Sequence, residues 1–324
     1  MDFSLSEERK MLQETVARFF ENNYKDIKKR SEHLAMNEGF SREFWKESAD
    51  LGVISGLISP NFGGLGGSGE DISIIFELIG KSLCIEPFLS SGLLSTSILS
   101  SIEIPKTELI NEIIDGELLI SFAHMEMNNR YENHFVETKA FLEKDNWKIN
   151  GNKSFVINGD SADKVIVSAR INGEISDKSG IGLFLVDNSQ IKKRSYNTID
   201  GYRATELNFD NIKAELLCKD DLALECIVKA NSAGALALSA EAVGIMQVCF
   251  DLTLDYLKTR NQFGKSIGAF QSIQHRMVDM MLEIEQVRSA VMLASSTFET
   301  NSSTRDKNVS AAKNLVGRVG KLIA

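Results

Sequence analysis

The sequence predicts an α+β protein in which helices come first, short strands fill the middle and long helices close the chain. Three observations carry that reading. Apolar residues recur at helical spacing through residues 1–116, short β-branched and aromatic segments crowd residues 117–217, and helical spacing returns in a stretch free of proline from 220 onward. The implied organisation is an N-terminal helical domain at 1–116, a small central β-barrel or sandwich at 117–217, and a C-terminal helical bundle at 218–324 that is left incomplete.

The elements follow in order. Met11, Leu12, Val16, Phe19 and Phe20 mark a helix over 6–30 behind a capping Ser6. A second helix spans 41–51 and stops at Gly52, a C-cap glycine. The glycine-rich run 59–67 is a loop, and helices resume over 71–85, 93–101 and 105–114. Strands are expected at 118–123, 136–142, 147–149, 155–157, 165–169, 181–186 and 206–209, with turns at Lys144-Asp145-Asn146, Asn150-Gly151 and Asn172-Gly173. Leu236, Ala240, Val243, Met246 and Gln247, then Leu252, Tyr256 and Leu257, place a long helix after the strands. Further helices cover 271–297 and begin near 304. The sequence shows no internal repeat and no low-complexity segment.

Composition narrows the function. With 324 residues and 43% hydrophobic content the chain has enough apolar surface for a normal core. Its 36 basic against 45 acidic residues give a net charge of -9, which argues against nucleic acid or an anionic membrane as the main partner. An anionic ligand therefore needs a local basic site. Asp2, Glu7 and Glu8 stand where a secretory signal would be basic, and no apolar run reads as long enough to cross a bilayer, so a cytoplasmic location is expected. Cys84, Cys218, Cys226 and Cys249 lack metal or disulfide spacing, and His33, His124, His134 and His275 have no partner at ligand spacing. The basic runs Lys25-Lys28-Lys29-Arg30 and Lys192-Lys193-Arg194 read as solvated surface charge. Neither a dinucleotide fingerprint nor a P-loop occurs.

The informative segment runs from Arg260 through Asn261, Gln262, Phe263 and Gly264 to Phe270, Gln271, Gln274 and His275, between two long helices. A guanidinium, several amides and two aromatic rings can grip a pyrophosphate and pack against an adenine. On those residues alone, an ordinary helix connection is an equal reading.

Arg-x-Gln-Phe-Gly-x-x-Ile at 260–267, followed by Phe-Gln-x-x-Gln-His at 270–275, resembles the signature of the acyl-CoA dehydrogenase family. The 60–66 loop, Pro-Asn-Phe-Gly-Gly-Leu-Gly, and the helix–strand–helix order resemble that family as well, so the likeness spans the chain. Segments 161–170, 181–187 and 200–204 look like the small subunit of heteromeric pimeloyl-CoA dehydrogenase-type enzymes. The resemblance implies FAD as cofactor, an acyl-CoA substrate and electron-transfer flavoprotein as acceptor. It also implies a larger catalytic subunit as partner, in a dimer or tetramer. By the same resemblance Arg260, Gln262, Phe263, Phe270, Gln271 and Gln274 are the cofactor-binding candidates.

Departures from the family pattern fall at the reaction centre. Where members have Thr-Glu-Pro-x-x-Gly-Ser-Asp, this chain has Met125-Glu126-Met127-Asn128-Asn129-Arg130-Tyr131-Glu132; the family's Trp-Ile-Thr is Phe155-Val156-Ile157. Two hydroxyls facing the flavin are thereby lost. The glutamate base that some members carry after the strand domain is matched by Gly234, with Glu241 two turns further on as an exposed or interface residue. Other members place the base near a C-terminal His-Gly-Gly segment, and this chain reaches residue 324 within an apolar helical pattern before any such segment. No catalytic residue is therefore assigned. The reading is a subunit that shares a flavin site with its partner; a self-sufficient homo-oligomer completed by a further tail and a flavin-free scaffold are the alternatives.

Overall fold

Helix starts follow the capping chemistry of the sequence in the computed structural model, which describes residues 6–24, 26–129 and 131–324; Asp2, Lys25 and Arg130 lie outside the described residues. In chain order come α1 (Glu7–Tyr24), α2 (Ile27–Leu34), α3 (Arg42–Asp50), α4 (Gly69–Ser82), a π-helical turn (Phe88–Ser95), α5 (Thr96–Ser101) and α6 (Thr107–Ile114). The strands are β1 (Ile120–Ala123), β2 (Lys139–Glu143), β3 (Asn146–Ile157), β4 (Lys164–Arg170), β5 (Ile181–Asp187), β6 (Lys192–Asn197) and β7 (Arg203–Lys219). Then follow α7 (Asp220–Thr259), β8 (Asn261–Gln262), β9 (Lys265–Ser266), α8 (Gln271–Ser296) and α9 (Ser302–Ile323).

Three caps show the local logic. Ser41 Oγ accepts from Phe44 N at the start of α3, and Gly52 beyond its end takes φ 87. Ser68 and Asp71 form a capping box that opens α4 two residues before the expected start. The single helix expected over 6–30 is instead two, because the Asp26 carboxylate accepts from Lys28 N and restarts the chain as α2.

The central strands close into a barrel. The order β1-β4-β2-β3-β7-β5 is completed by β4 pairing β5, with β6 added beside β7. Val156, Val165, Val167, Phe184, Leu207 and Phe209 fill its interior. Two sequence expectations are corrected here. Asn150-Gly151 is no turn but a bulge inside the continuous β3, where Gly151 at φ 144 lets the backbone pass Thr138; a Cβ there would come 2.7 Å from Thr138 Cα. The 192–194 basic run belongs to β6, an exposed strand with no apolar alternation to announce it, held by its ladder to β7.

The described residues divide into two compact units, each assembled from separated stretches. One holds residues up to 29, 67–84 and 235–324. In it α4 crosses α7 at backbone distance: a Cβ on Gly80 would lie 2.0 Å from Glu241 O, and one on Gly244 would lie 2.1 Å from Glu77 O. Arg288 on α8 clasps Glu77 with both oxygens 2.9 Å away, and Lys81 joins the same carboxylate at 2.8 Å. Together these pull the Glu77 carboxyl below its ordinary range, although burial alone would raise it.

The second unit holds residues 30–66 and 85–234, with the barrel at its centre. Ser95 Oγ donates to Ile120 O and Ser90 Oγ to Asn158 Oδ1, tying the π-helical turn to the barrel. Arg30 of the supposedly solvated basic run donates to Asp200 O at 2.5 Å. The sequence expectation of no bilayer-length apolar run is corrected by α7, which contains an 18-residue window of mean hydropathy 1.6, half of it buried within the protein. Length and hydropathy of that kind also describe a core helix.

Candidate functional site

The 260–275 segment folds as a miniature hairpin on the end of α7. Arg260 N donates to Tyr256 O at 2.8 Å and Ile267 N to Arg260 O at 2.9 Å, so the loop leaves and rejoins the same helical turn. Asn261 pairs with Ser266 and Gln262 with Lys265 around a two-residue turn. Both turn residues have positive φ, 54 at Phe263 and 77 at Gly264. That is the geometry of a type I′ turn, which favours Asn or Asp followed by Gly. Phenylalanine in the left-handed region costs about 1–2 kcal/mol, and here its ring is also 91% exposed.

The loop assembles most of the residues expected from the sequence. Phe263 meets Phe270 edge-on with ring centroids 6.3 Å apart, and Lys265, which sequence reasoning did not single out, sets its ammonium 4.4 Å from the Phe270 ring centroid. Phe270 is the N-cap of α8 and supplies no side-chain cap, so Gln271 opens the helix with its amide end facing outward. Gln274, one turn on, donates Nε2 to Gly268 O at 3.0 Å and braces the loop from beneath. Gln262, Gln271 and Arg260 are exposed, and the Arg260 guanidinium forms no ion pair among the described residues. A free guanidinium, an uncapped helix start and a lifted aromatic ring suit an anionic group carrying a flat ring system.

Within the barrel unit, Met125 and Ile157, which the resemblance sets against flavin-facing hydroxyls, are apolar, and Phe155 lies beside them. Met125 is 43% and Phe155 45% exposed, the latter at φ 52, and the two segments are joined by Ser154 N donating to Met125 O. Ile157 lies two residues further along β3. Beside Met127 and Ser154 opens a cleft of about 560 Å³ whose other wall carries Lys192, Lys193 and Arg194.

Behind this surface lies a buried polar network that nothing in the sequence pattern announces. Lys153 Nζ donates to Glu126 Oε1 at 2.6 Å, Ser168 Oγ at 3.0 Å and His124 O at 3.1 Å. Glu126 also accepts from the backbone N–H groups of Glu137 and Thr138. Burial raises the Glu126 carboxyl, but Lys153 and these donors outweigh it and hold the pKa below the ordinary range. Lys153, fully buried, is pushed down by desolvation against the pull of Glu126. His124 stacks on Phe122, and Ser168 Oγ sits 2.9 Å from its Nδ1. Burial and the neighbouring Lys153 charge push His124 down to about 3, so it stays neutral. The network is a bracket that fixes the Met125 and Phe155 segments.

At Gly234, α7 lies against the π-helical turn. A Cβ on Gly234 would come 3.0 Å from Leu94 Cδ2 and 3.9 Å from Leu89 Cδ1, so any side chain here begins against leucine methyls that have to give way. Glu241 belongs to the other unit, its backbone pressed on Gly80 of α4. Among the described residues no cluster of three metal-ligating side chains occurs.

Comparison with known proteins gives a consistent picture. Models of the N-terminal, middle and C-terminal domains of acyl-CoA dehydrogenase match residues 6–102, 121–212 and 225–324. Mitochondrial isovaleryl-CoA dehydrogenase from Pongo abelii is 28% identical over 312 residues, covering 89% of this chain and 71% of that protein. Among solved structures, the FAD complex of PigA aligns with TM-score 0.87 at 23% identity, covering 99% of this chain and 86% of the other. The ChsE4-ChsE5 complex from Mycobacterium tuberculosis aligns with TM-score 0.84 at 20% identity, covering 100% and 88%. Three successive domain models in the right order, over a fold shared with those structures, make the conclusion plain: the chain belongs to the acyl-CoA dehydrogenase family.

Proposed function

We propose that this chain is a subunit of an FAD-dependent acyl-CoA dehydrogenase that lends its 260–274 loop to the diphosphate end of FAD, while a larger partner subunit supplies the ring pocket and the base. The observation that carries this reading is the Phe263 hairpin. It spends backbone strain to hold an aromatic ring in solvent beside an unpaired guanidinium, and strain of this kind persists where function needs it.

The fit to FAD is divided. Arg260, Phe263, Phe270 and Gln271 suit its phosphates and adenine. The Met125 and Ile157 side chains offer no donor to a flavin edge, and such an edge, once buried, needs partners. When bound, FAD takes hydride from the β carbon of an acyl thioester. The matching removal of the α proton needs a positioned carboxylate, and Gly234 provides none. Resemblance to the pimeloyl type supports a bulky or dicarboxylic acyl-CoA as substrate and electron-transfer flavoprotein as acceptor. The likeness to the ChsE4-ChsE5 complex, two components by its name, supports a mixed assembly.

The test is a visible spectrum of the purified chain alone and of the chain co-purified with its partner. Flavin should appear only in the complex, and the isolated chain should show no dye reduction with any acyl-CoA. Arg260→Ala in the complex should weaken FAD binding about ten- to a hundredfold, the worth of one charge-assisted contact. Arg260→Lys should recover part of it, since an ammonium keeps the charge but loses the planar fork. Stoichiometric flavin in the isolated chain would favour the self-sufficient homo-oligomer, and a flavin-free active complex would favour the scaffold.

A further inference from the structure

Residues 256–278 carry Lys258, Arg260, Lys265 and Arg276 and no aspartate or glutamate, a basic island in a chain whose net charge is -9. Two of these cations share one face of the hairpin. Side chains alternate along a strand, Ile267 N donates to Arg260 O, and Gln262 pairs with Lys265, so Arg260, Gln262 and Lys265 project to the same side of the ribbon. Lys265 stands diagonally across from Arg260, a separation that long side chains bridge. Both residues are exposed, and neither forms an ion pair among the described residues.

Phe270 fixes where the lysine stands. The Lys265 ammonium lies 4.4 Å from the Phe270 ring centroid, and Phe263 meets the same ring edge-on. A ring face attracts a cation without neutralising it as a carboxylate would, so the charge stays available to an anion. Like charges on one face repel until an anion lies between them. The empty face is therefore complementary to a group with anionic oxygens on more than one centre.

We propose that Lys265 is a second cation of the FAD diphosphate site, held ready by Phe270, so that Arg260 takes one phosphate and Lys265 the other. This role rests on the loop being an FAD-binding element and adds a selectivity to it, a diphosphate in preference to a monophosphate. The planar guanidinium fork matches two oxygens of one phosphate, and the ammonium acts as a point charge on its neighbour. Phe270 is thereby a positioning residue, acting on the cofactor through the lysine, and Phe263 is left free for the adenine.

The complex of this chain with its partner, loaded with FAD, is dialysed, and the flavin retained is read from its visible spectrum. Lys265→Met should raise the Kd for FAD about tenfold, the worth of one charge-assisted contact, and Lys265→Arg should restore most of the loss. ADP should displace FAD from the wild type at lower concentration than AMP does. Lys265→Met should shrink that advantage, which a merely structural lysine would leave unchanged. Phe270→Leu should also weaken retention, and adding Lys265→Met to it should cost less than the two effects combined. Arg260→Ala separates the lysine from the loop. If Arg260→Ala releases FAD and Lys265→Met does not, the role of Lys265 is overturned and the loop reading stands; if neither does, both fall. Should Lys265→Met fail to assemble, the wild-type complex still decides, because equal displacement of FAD by ADP and AMP overturns the second cation.

Discussion

At the scale of single residues, the structure concentrates its costs where function is argued. Phe263 occupies a turn position suited to asparagine. Phe263→Asn should raise stability by about 0.5–1 kcal/mol in urea unfolding, by relieving left-handed strain, while weakening FAD retention in the complex. A gain in both would show the ring to be incidental. His124 makes an opposite kind of claim. Its folded pKa, about 3, is depressed below the unfolded value, so on acidification the unfolded chain binds a proton that the folded chain refuses. Stability should therefore fall as pH drops from about 6.5 toward 3, by up to about 5 kcal/mol from this group. Glu126 adds to the loss below its own unfolded value, since its folded pKa is also lowered. His124→Asn should flatten the slope between about pH 6.5 and 4.5, before carboxylates titrate. An unchanged pH profile would mean that the histidine is reached by water.

At the scale of elements, the starts at Ser6 and Ser41 were legible because capping is local, each hydroxyl accepting from the amide three residues on; Ser68 and Asn301 cap in the same way just ahead of the apolar spacing that marked their helices. The 260–275 loop was legible for the same reason, being one contiguous motif. What the sequence hid depends on partners far along the chain. The β6 strand exists through its ladder to β7, the Gly151 bulge through the nearness of Thr138, and Lys153 through Glu126, 27 residues away. The α4–α7 crossing belongs to this class too. Gly80 permits a backbone contact that no pattern of apolar residues specifies. Gly80→Ala should force the two helices apart and cost about 1–3 kcal/mol by the usual penalty of overpacking, read as a lower urea midpoint with an unchanged m-value. Wild-type stability in that variant would mean that α4 can shift without loss.

At the scale of the whole molecule, the order of helices, strands and helices could be read from periodicity, and the barrel's closure through β4 and β5 could not, because it joins segments by register alone. The chain-wide likeness to acyl-CoA dehydrogenases therefore rests on the succession of the three domains. Gly234 sets a packing limit within it. With Leu94 and Leu89 against it, a glutamate there has to displace leucine methyls. Gly234→Glu should bury a carboxylate among leucine methyls and cost about 2 kcal/mol or more, whereas Leu94→Ala alone should cost about 2–5 kcal/mol by opening a cavity. The double variant should cost less than the sum of the two in urea unfolding, since each change relieves the other; strict additivity would show that the leucines do not occupy the lost residue's room. On the proposed reading, in which a partner supplies the base, each single step from Gly234 toward a carboxylate passes through a weaker protein, so the demand for folding by itself keeps that position closed to one.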